Sequence, residues 1–156
     1  MKLLIFALTV LLNLETKITA SEISGFAVVT DGDTIKISNN KIRLHGVDAP
    51  EKKQNCTKNA KEYNCGVVAT MALIKKIGKN IVKCSTQKNK DRYNRFIGVC
   101  FVDQIDLNKW MVRNGYAVAY RRYSKDYILD EEFAKKNKLG LWSGTFLKPE
   151  KWRKLN

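Results

Sequence analysis

Between Phe26 and Val47, apolar and polar residues alternate in three runs, Phe26 to Val29, Ile35 to Ser38 and Lys41 to Val47, punctuated by Asp31-Gly32 and Asn39-Asn40. A period of two sends successive side chains to opposite faces of a strand, and glycine after aspartate accepts the backbone angles of a tight turn. The pattern predicts a three-stranded meander. From Cys65 to Lys79 the spacing changes, with Val68, Met71, Ala72 and Ile74 recurring as on a helix and Gly78 supplying a stop. "IVKCS" and "RFIGVCFV" then return to strand character, which makes five strands with one helix inserted.

The end of the chain turns helical. Asp106 is placed to cap "LNKWMVRNG", closing at Gly115, and Asp130 to Leu139 is a charged amphipathic stretch ended by Gly140. The expected class is therefore α+β, a five-stranded barrel with about three α-helices, of which the oligonucleotide-binding (OB-fold) barrel is the natural example.

One segment is expected to stand outside this domain. Met1-Lys2 precedes the apolar run Leu3 to Leu12 and the small-residue ending "ITA" at Ile18 to Ala20, the pattern of a secretory signal cleaved near Ala20. The run is well short of the roughly 20 residues that a helix needs to cross a bilayer. The remainder, Ser21 to Asn156, suits a single domain.

Charge narrows the choice of partner. The chain carries 29 basic and 15 acidic side chains, a net +14; without residues 1–20 it loses Lys2 and Lys17 against Glu15, leaving +13. The excess is spread over the domain with no basic tail, and it favours a polyanionic partner. The four cysteines, Cys56, Cys65, Cys84 and Cys100, are an even number in a chain expected to be secreted, which points to two disulfides. Of the three possible pairings the local one is favoured, Cys56 with Cys65 across a polar loop and Cys84 with Cys100 across a hairpin. Zinc is disfavoured because there is no Cys-x-x-Cys pair and His45 is the single histidine.

Three short motifs carry candidate chemistry. "TDGDTIKI" places Asp31 and Asp33 on either side of Gly32, and "RLHGVDAPE" runs from Arg43 into a proline-fixed turn holding Asp48 and Glu51. Carboxylates and exposed carbonyls are the donors that a hard divalent cation takes. In "KDRYNR", Arg92 and Arg95 bracket Tyr93 and Asn94, a residue that tolerates the left-handed conformation of a turn. Arginine forks match phosphate oxygens, and tyrosine offers a face to a base. A metal-binding carboxylate cluster with two arginines suits phosphodiester hydrolysis, in which charge builds on the phosphate oxygens and a carboxylate handles the attacking water. A lone histidine excludes mechanisms that need a catalytic pair, and His45, on an alternating strand, reads as a structural or surface residue.

"DGDTIKI", "IRLHGVDAPE" and "DRYNR", in this order, closely resemble the staphylococcal nuclease (thermonuclease) family, and "DLNKWMVRNGYAVAY" and "GLWS" continue the likeness. The resemblance implies a calcium-dependent nuclease on an OB-fold barrel, acting on DNA and RNA and leaving 3′-phosphate ends. It implies Asp33, Asp48 and the backbone carbonyl of Ala49 as metal ligands, Glu51 as general base, and Arg43 and Arg95 as the arginines on the scissile phosphate. Arg92 and Tyr93 match positions at a terminal phosphate, and Tyr120 matches a tyrosine beside the base. Asp31 keeps a turn role.

Position 49 is alanine where the family pattern has threonine, which keeps the carbonyl but loses a hydroxyl. Position 94 is asparagine rather than glycine, and the cysteines are an addition. The expectation is a secreted monomer, extracellular or periplasmic, with DNA and RNA as substrates and no stable membrane association. The alternative is a nuclease-like module that binds nucleic acid without cleaving it. A cationic membrane-active protein is the third reading.

Overall fold

The computed structural model describes residues 21–156, so the signal segment expected at residues 1–20 lies outside the described residues. Strand β1 (Ser21–Asp31) alternates exposed and half-buried positions along its length, as a strand covered on one face does. It pairs antiparallel with β2 (Thr34–Ile37), which pairs with β3 (Asn40–Leu44). The predicted meander is present. Its third strand stops at Leu44, however, because Gly46 bends the chain into a separate two-residue strand, β4 (Val47–Asp48).

A second hairpin, β5 (Asn55–Lys58) and β6 (Lys61–Asn64), stands where a polar loop was expected. Helix α1 (Cys65–Ile77) begins at Asn64, whose side chain accepts the Val67 N–H at 2.8 Å, and closes with the Gly78 N–H on the Ile74 carbonyl. The helix is where the spacing placed it, but the buried face is rotated. Val68, Met71 and Ile74 are exposed, while Ala69, Leu73 and Ile77 reach the core.

Strands β7 (Ile81–Thr86) and β8 (Phe96–Val102) complete the barrel. The order is β3-β2-β1-β7-β8, and β3 pairs parallel with β8, Arg43 opposite Ile97, which closes the five strands on themselves. Strand β9 (Ile105–Asp106) turns back to pair antiparallel with the end of β8, and β10 (Val118–Ala119) pairs with β4. The barrel core holds Ile35, Ile37, Ile42, Leu44 and Val82 against Leu73 of α1. Each such side chain contributes about 1.5–3 kcal/mol on burial.

Helix α2 (Leu107–Arg113) starts at Asp106, which accepts the Lys109 N–H at 2.9 Å, as expected. Buried Asn108 fixes α2 to the barrel by accepting from Cys100 N and donating to the carbonyls of His45 and Gly98. Helix α3 (Ile128–Lys136) precedes a 3-10 turn at Gly140–Ser143, and a fourth helix, α4 (Pro149–Leu155), exceeds the expected three. Among the described residues no helix is long and apolar enough to cross a membrane.

Both local disulfides are formed. Cys84 and Cys100 face each other in the β7–β8 register with Cα atoms 4.0 Å apart, and Cys56–Cys65 ties β5 to the start of α1 at 5.6 Å. The loops they close span 9 and 16 residues, for which chain entropy alone predicts about 2.6 and about 3.1 kcal/mol. All four cysteines are buried, so the loss of packing is similar for the two bonds. Replacing Cys84 and Cys100 with alanine should therefore cost about 0.5 kcal/mol more than replacing Cys56 and Cys65 in urea denaturation, the difference in loop entropy. A larger loss on replacing Cys56 and Cys65 would overturn the entropic account.

Candidate active site

The site is built from the β1–β2 turn outward. Asp31 accepts the Asp33 N–H at 3.1 Å across Gly32, a side-chain turn contact that keeps Asp31 in the turn role expected of it. Glycine is required there by space, since a Cβ at position 32 would lie 2.7 Å from the Ala49 Cβ and 2.9 Å from the Ala69 Cβ. The close approach seats Asp33 against the loop after β4. Asp33 is 4% exposed, and its Oδ2 accepts the Ala49 N–H at 3.0 Å while its Oδ1 accepts from the Thr34 hydroxyl at 3.0 Å.

Arg43, opposite Thr34 in the β2–β3 register, bridges the two aspartates. Its Nη1 donates to Asp33 Oδ1 at 2.7 Å, and its Nη2 donates to Asp48 Oδ1 at 3.1 Å and to the Val47 carbonyl at 3.2 Å. Asp48, 1% exposed, is held in place by pairing of β4 with β10. Buried carboxylates need compensating positive charge, and Arg43 supplies it to both.

Glu51 follows on the same loop. Its N–H donates to Gln54 Oε1 at 3.2 Å and its carbonyl accepts the Gln54 N–H at 2.8 Å, while Gln54, fully buried, donates from Nε2 to the Leu147 carbonyl at 2.6 Å. Gly66 packs on the Glu51 carbonyl so closely that a Cβ there would lie 1.8 Å from its oxygen. The Glu51 backbone is thus clamped between the start of α1 and the C-terminal segment.

Arg153 enters this cluster from α4. Its Nη1 donates to Asp48 Oδ1 at 2.9 Å and to Glu51 Oε1 at 2.8 Å, and its Nη2 donates to Asp48 Oδ2 at 3.3 Å. Arg43 and Arg153 both lie over the ring of Tyr120, at 5.7 and 5.9 Å. Sequence reasoning gave Arg153 and Gln54 no role. Arg153 joins Asp48 across 105 positions, a separation at which no local pattern signals contact.

The electrostatics follow from burial and pairing. Burial, then the neighbouring charge of Asp33, pushes the Asp31 carboxyl up to about 6. Burial also raises the Asp48 carboxyl above the usual range, against the opposing hydrogen bond from Arg153. For Arg43 the burial that would weaken its proton affinity is outweighed by Asp33 and Asp48, which hold it firmly charged.

Arg95, Arg92 and Tyr93 form a second group, on the turn before β8. Asp91 organises it, accepting the N–H groups of Tyr93 and Arg95 at 2.9 and 3.0 Å and receiving Arg95 Nε and Nη2 at 2.9 and 2.8 Å. Those bonds hold the Asp91 carboxyl below its ordinary value despite partial burial. Asn94 adopts φ 59°, the left-handed conformation expected of it. Arg92 and Arg95 flank the exposed Tyr93 ring at 4.8 and 5.1 Å. Asp91 had been given no role, and here it engages the guanidinium of Arg95. His45 pairs with exposed Asp126 at 3.3 Å, a structural contact.

The donor set fits a hard divalent cation. Asp33 and Asp48 offer carboxylate oxygens beside the Ala49 backbone, and Asp31, Asp33, Asp48 and Glu51 against Arg43 and Arg153 leave two negative charges. Among the described residues no three acidic, histidine or cysteine side chains converge as a ready cage, so water would complete the coordination of such an ion.

Residues 41–144 match the family described as staphylococcal nuclease homologue. Among similar proteins, the succinoglycan biosynthesis protein ExoI of Rhizobium meliloti (strain 1021) is 36% identical over 126 residues, 79% of this chain and 66% of its own length. An uncharacterized endonuclease of Escherichia coli O157:H7 is 34% identical over 134 residues, 81% of each chain. A micrococcal nuclease of Shigella flexneri is 31% identical over 145 residues, 81% of this chain and 77% of its own.

Proposed function

The chain belongs to the staphylococcal nuclease family, and from that premise we propose that it is a secreted, calcium-dependent nuclease hydrolysing phosphodiester bonds of DNA and RNA to 3′-phosphate ends. The observation that carries this reading is the pair of nearly buried carboxylates, Asp33 and Asp48, bridged by Arg43 with Glu51 on the same loop. The functional domain is residues 21–156 behind a signal peptide, acting as a monomer. Two disulfides suit the oxidising compartment that secretion requires.

Each side chain then has a task. Glu51, partly exposed and backbone-clamped, takes a proton from the attacking water as its oxygen forms the new bond to phosphorus. The bond from phosphorus to the 5′ oxygen breaks and that oxygen takes a proton from solvent water, leaving a 3′-phosphate and a 5′-hydroxyl. Arg43 and Arg95 neutralise the charge building on the phosphate oxygens, which requires Arg95 to exchange Asp91 for substrate. Arg92 and Tyr93 receive the terminal phosphate, and Tyr120 lies beside the base. Calcium, held by Asp33, Asp48 and the Ala49 carbonyl, would supply positive charge to the phosphate oxygens.

The test is cleavage of single-stranded DNA and of RNA by the purified protein. Calcium is expected to support turnover on both and a chelator to stop it, with calcium restoring the rate. Turnover indifferent to chelation would overturn the calcium assignment. The internal pairing of Arg95 with Asp91 and of Glu51 with Arg153 favours one second reading, a module that binds nucleic acid without cleaving it. Salt-dependent binding without turnover in calcium would select it.

A further inference from the structure

The C-terminal helix is seated on the site by few contacts of its own. Pro149 is the one residue of α4 that is buried. The segment before it is well fixed, through reciprocal backbone bonds between Thr57 and Thr145 and the bond from Gln54 to the Leu147 carbonyl. Beyond Pro149 the described ion pairs to the body are those of Arg153 with Asp48 and Glu51, and that of Arg122 with Glu150, at 3.5 Å and largely exposed. Of its other apolar residues Trp152 is half-buried and Leu155 exposed, and a helix that buries so little apolar surface swings at low cost when its ion pairs find another partner.

Arg153 also stands at a particular point. One nitrogen, Nη1, is within 2.9 Å of Asp48 Oδ1 and 2.8 Å of Glu51 Oε1, so oxygens of two carboxylates already converge on a single positive centre. With Arg153 present, Asp31, Asp33, Asp48 and Glu51 face two guanidiniums, a net charge of −2, and with Arg153 withdrawn the net is −3. The competition is one of position: the Arg153 fork occupies both oxygens of Asp48, which an ion held by that carboxylate would need.

We infer that Arg153 is an internal counter-ion that competes with the divalent cation for Asp48 while it occupies Glu51, so that cation binding releases α4 from the site. The inference rests on the calcium reading given above. In the cation-free protein Arg153 neutralises the two carboxylates it draws together, and Glu51 is occupied. When Arg153 leaves, Glu51 is freed for its proton and the Tyr120 ring is uncovered on one side. The same release couples occupancy of the site to the freedom of the last residues of the chain.

The test titrates calcium by calorimetry into the wild-type protein, Arg153→Gln and Lys154→Gln. Removing a competitor that holds Asp48 through both of its nitrogens should tighten calcium binding about tenfold or more in Arg153→Gln. Lys154 is two-thirds exposed on the same helix and removes the same charge, so Lys154→Gln should bind within about twofold of wild type. Equal tightening in the two variants would reduce the effect to net charge and overturn the inference, as would unchanged affinity in Arg153→Gln. If none of the three binds calcium, the calcium reading falls and the inference with it, whereas equal binding by wild type and Arg153→Gln sinks the inference alone. Hydrogen exchange on the wild type needs no variant. Amides 151–155 should exchange faster with calcium while those of β1 and β7 hold, and unaltered exchange would overturn the displacement of α4.

Discussion

Replacing Glu51 with glutamine is expected to lower the rate of DNA and RNA cleavage by about 10²- to 10⁴-fold while leaving the fold intact, because the amide cannot take a proton from water. The backbone at this position is held independently of the carboxylate, by Gln54 and by the packing of Gly66, so the loop keeps its place. Arg153 retains its two bonds to Asp48. The loss should therefore fall on kcat, with a melting temperature close to wild type, and undiminished turnover in Glu51→Gln would remove Glu51 from the chemistry. A large fall in melting temperature would instead assign Glu51 a structural role.

Arg43→Ala is expected to damage both activity and stability. Arg43 bonds to carboxylates whose side chains are 6% and 2% exposed, and without it Asp33 faces Asp48 with Arg153 as the remaining cation on the latter. Breaking a buried pair from one side costs about 3–5 kcal/mol, because the stranded charge cannot reach water. The cost has a definite pH dependence. Burial already holds the Asp48 carboxyl above its ordinary value, and losing the Arg43 guanidinium raises it further, so the penalty is largest at neutral pH and shrinks as pH falls and Asp48 protonates. Urea midpoints for wild type and Arg43→Ala should thus lie further apart at neutral pH than in mild acid. Arg43→Lys keeps the charge but loses the fork that spans two carboxylates, and should recover part of the stability and little of the rate. A stable Arg43→Ala protein would mean that Arg153 alone balances the pair.

The elements that sequence reading located best are those decided within a few residues. Asp106 caps α2 because its acceptor lies three residues from the N–H it receives, and Asn94 turns left-handed for reasons internal to its own backbone. The pairing of Cys84 with Cys100 follows from two adjacent strands whose register is set by the hairpin between them. The carboxylates were legible for a different reason: Asp33 and the Asp48–Glu51 turn sit in short motifs whose order along the chain is itself distinctive.

Helix α1 marks where local reading ends. Its existence followed from apolar spacing, yet the helix carries apolar residues on two faces, and only the position of the barrel decided that Leu73 and Ile77 would be covered while Met71 and Ile74 stayed in water. Helix α4 was missed because seven residues rich in lysine and arginine give no apolar period to read.

By itself, then, the sequence determined the strand alternation, the Asp106 cap and the inventory of carboxylates and arginines, and favoured the cysteine pairs that formed. Tertiary structure alone decided how the charges are partnered. Arg43 spans Asp33 and Asp48, Asp91 holds Arg95, and Arg153 reaches back across the chain to Asp48 and Glu51. The physical reason is range: a cap or a turn depends on atoms a few bonds apart, whereas the partner of a buried charge is whichever opposite charge the closed barrel and its last helix bring within about 3 Å.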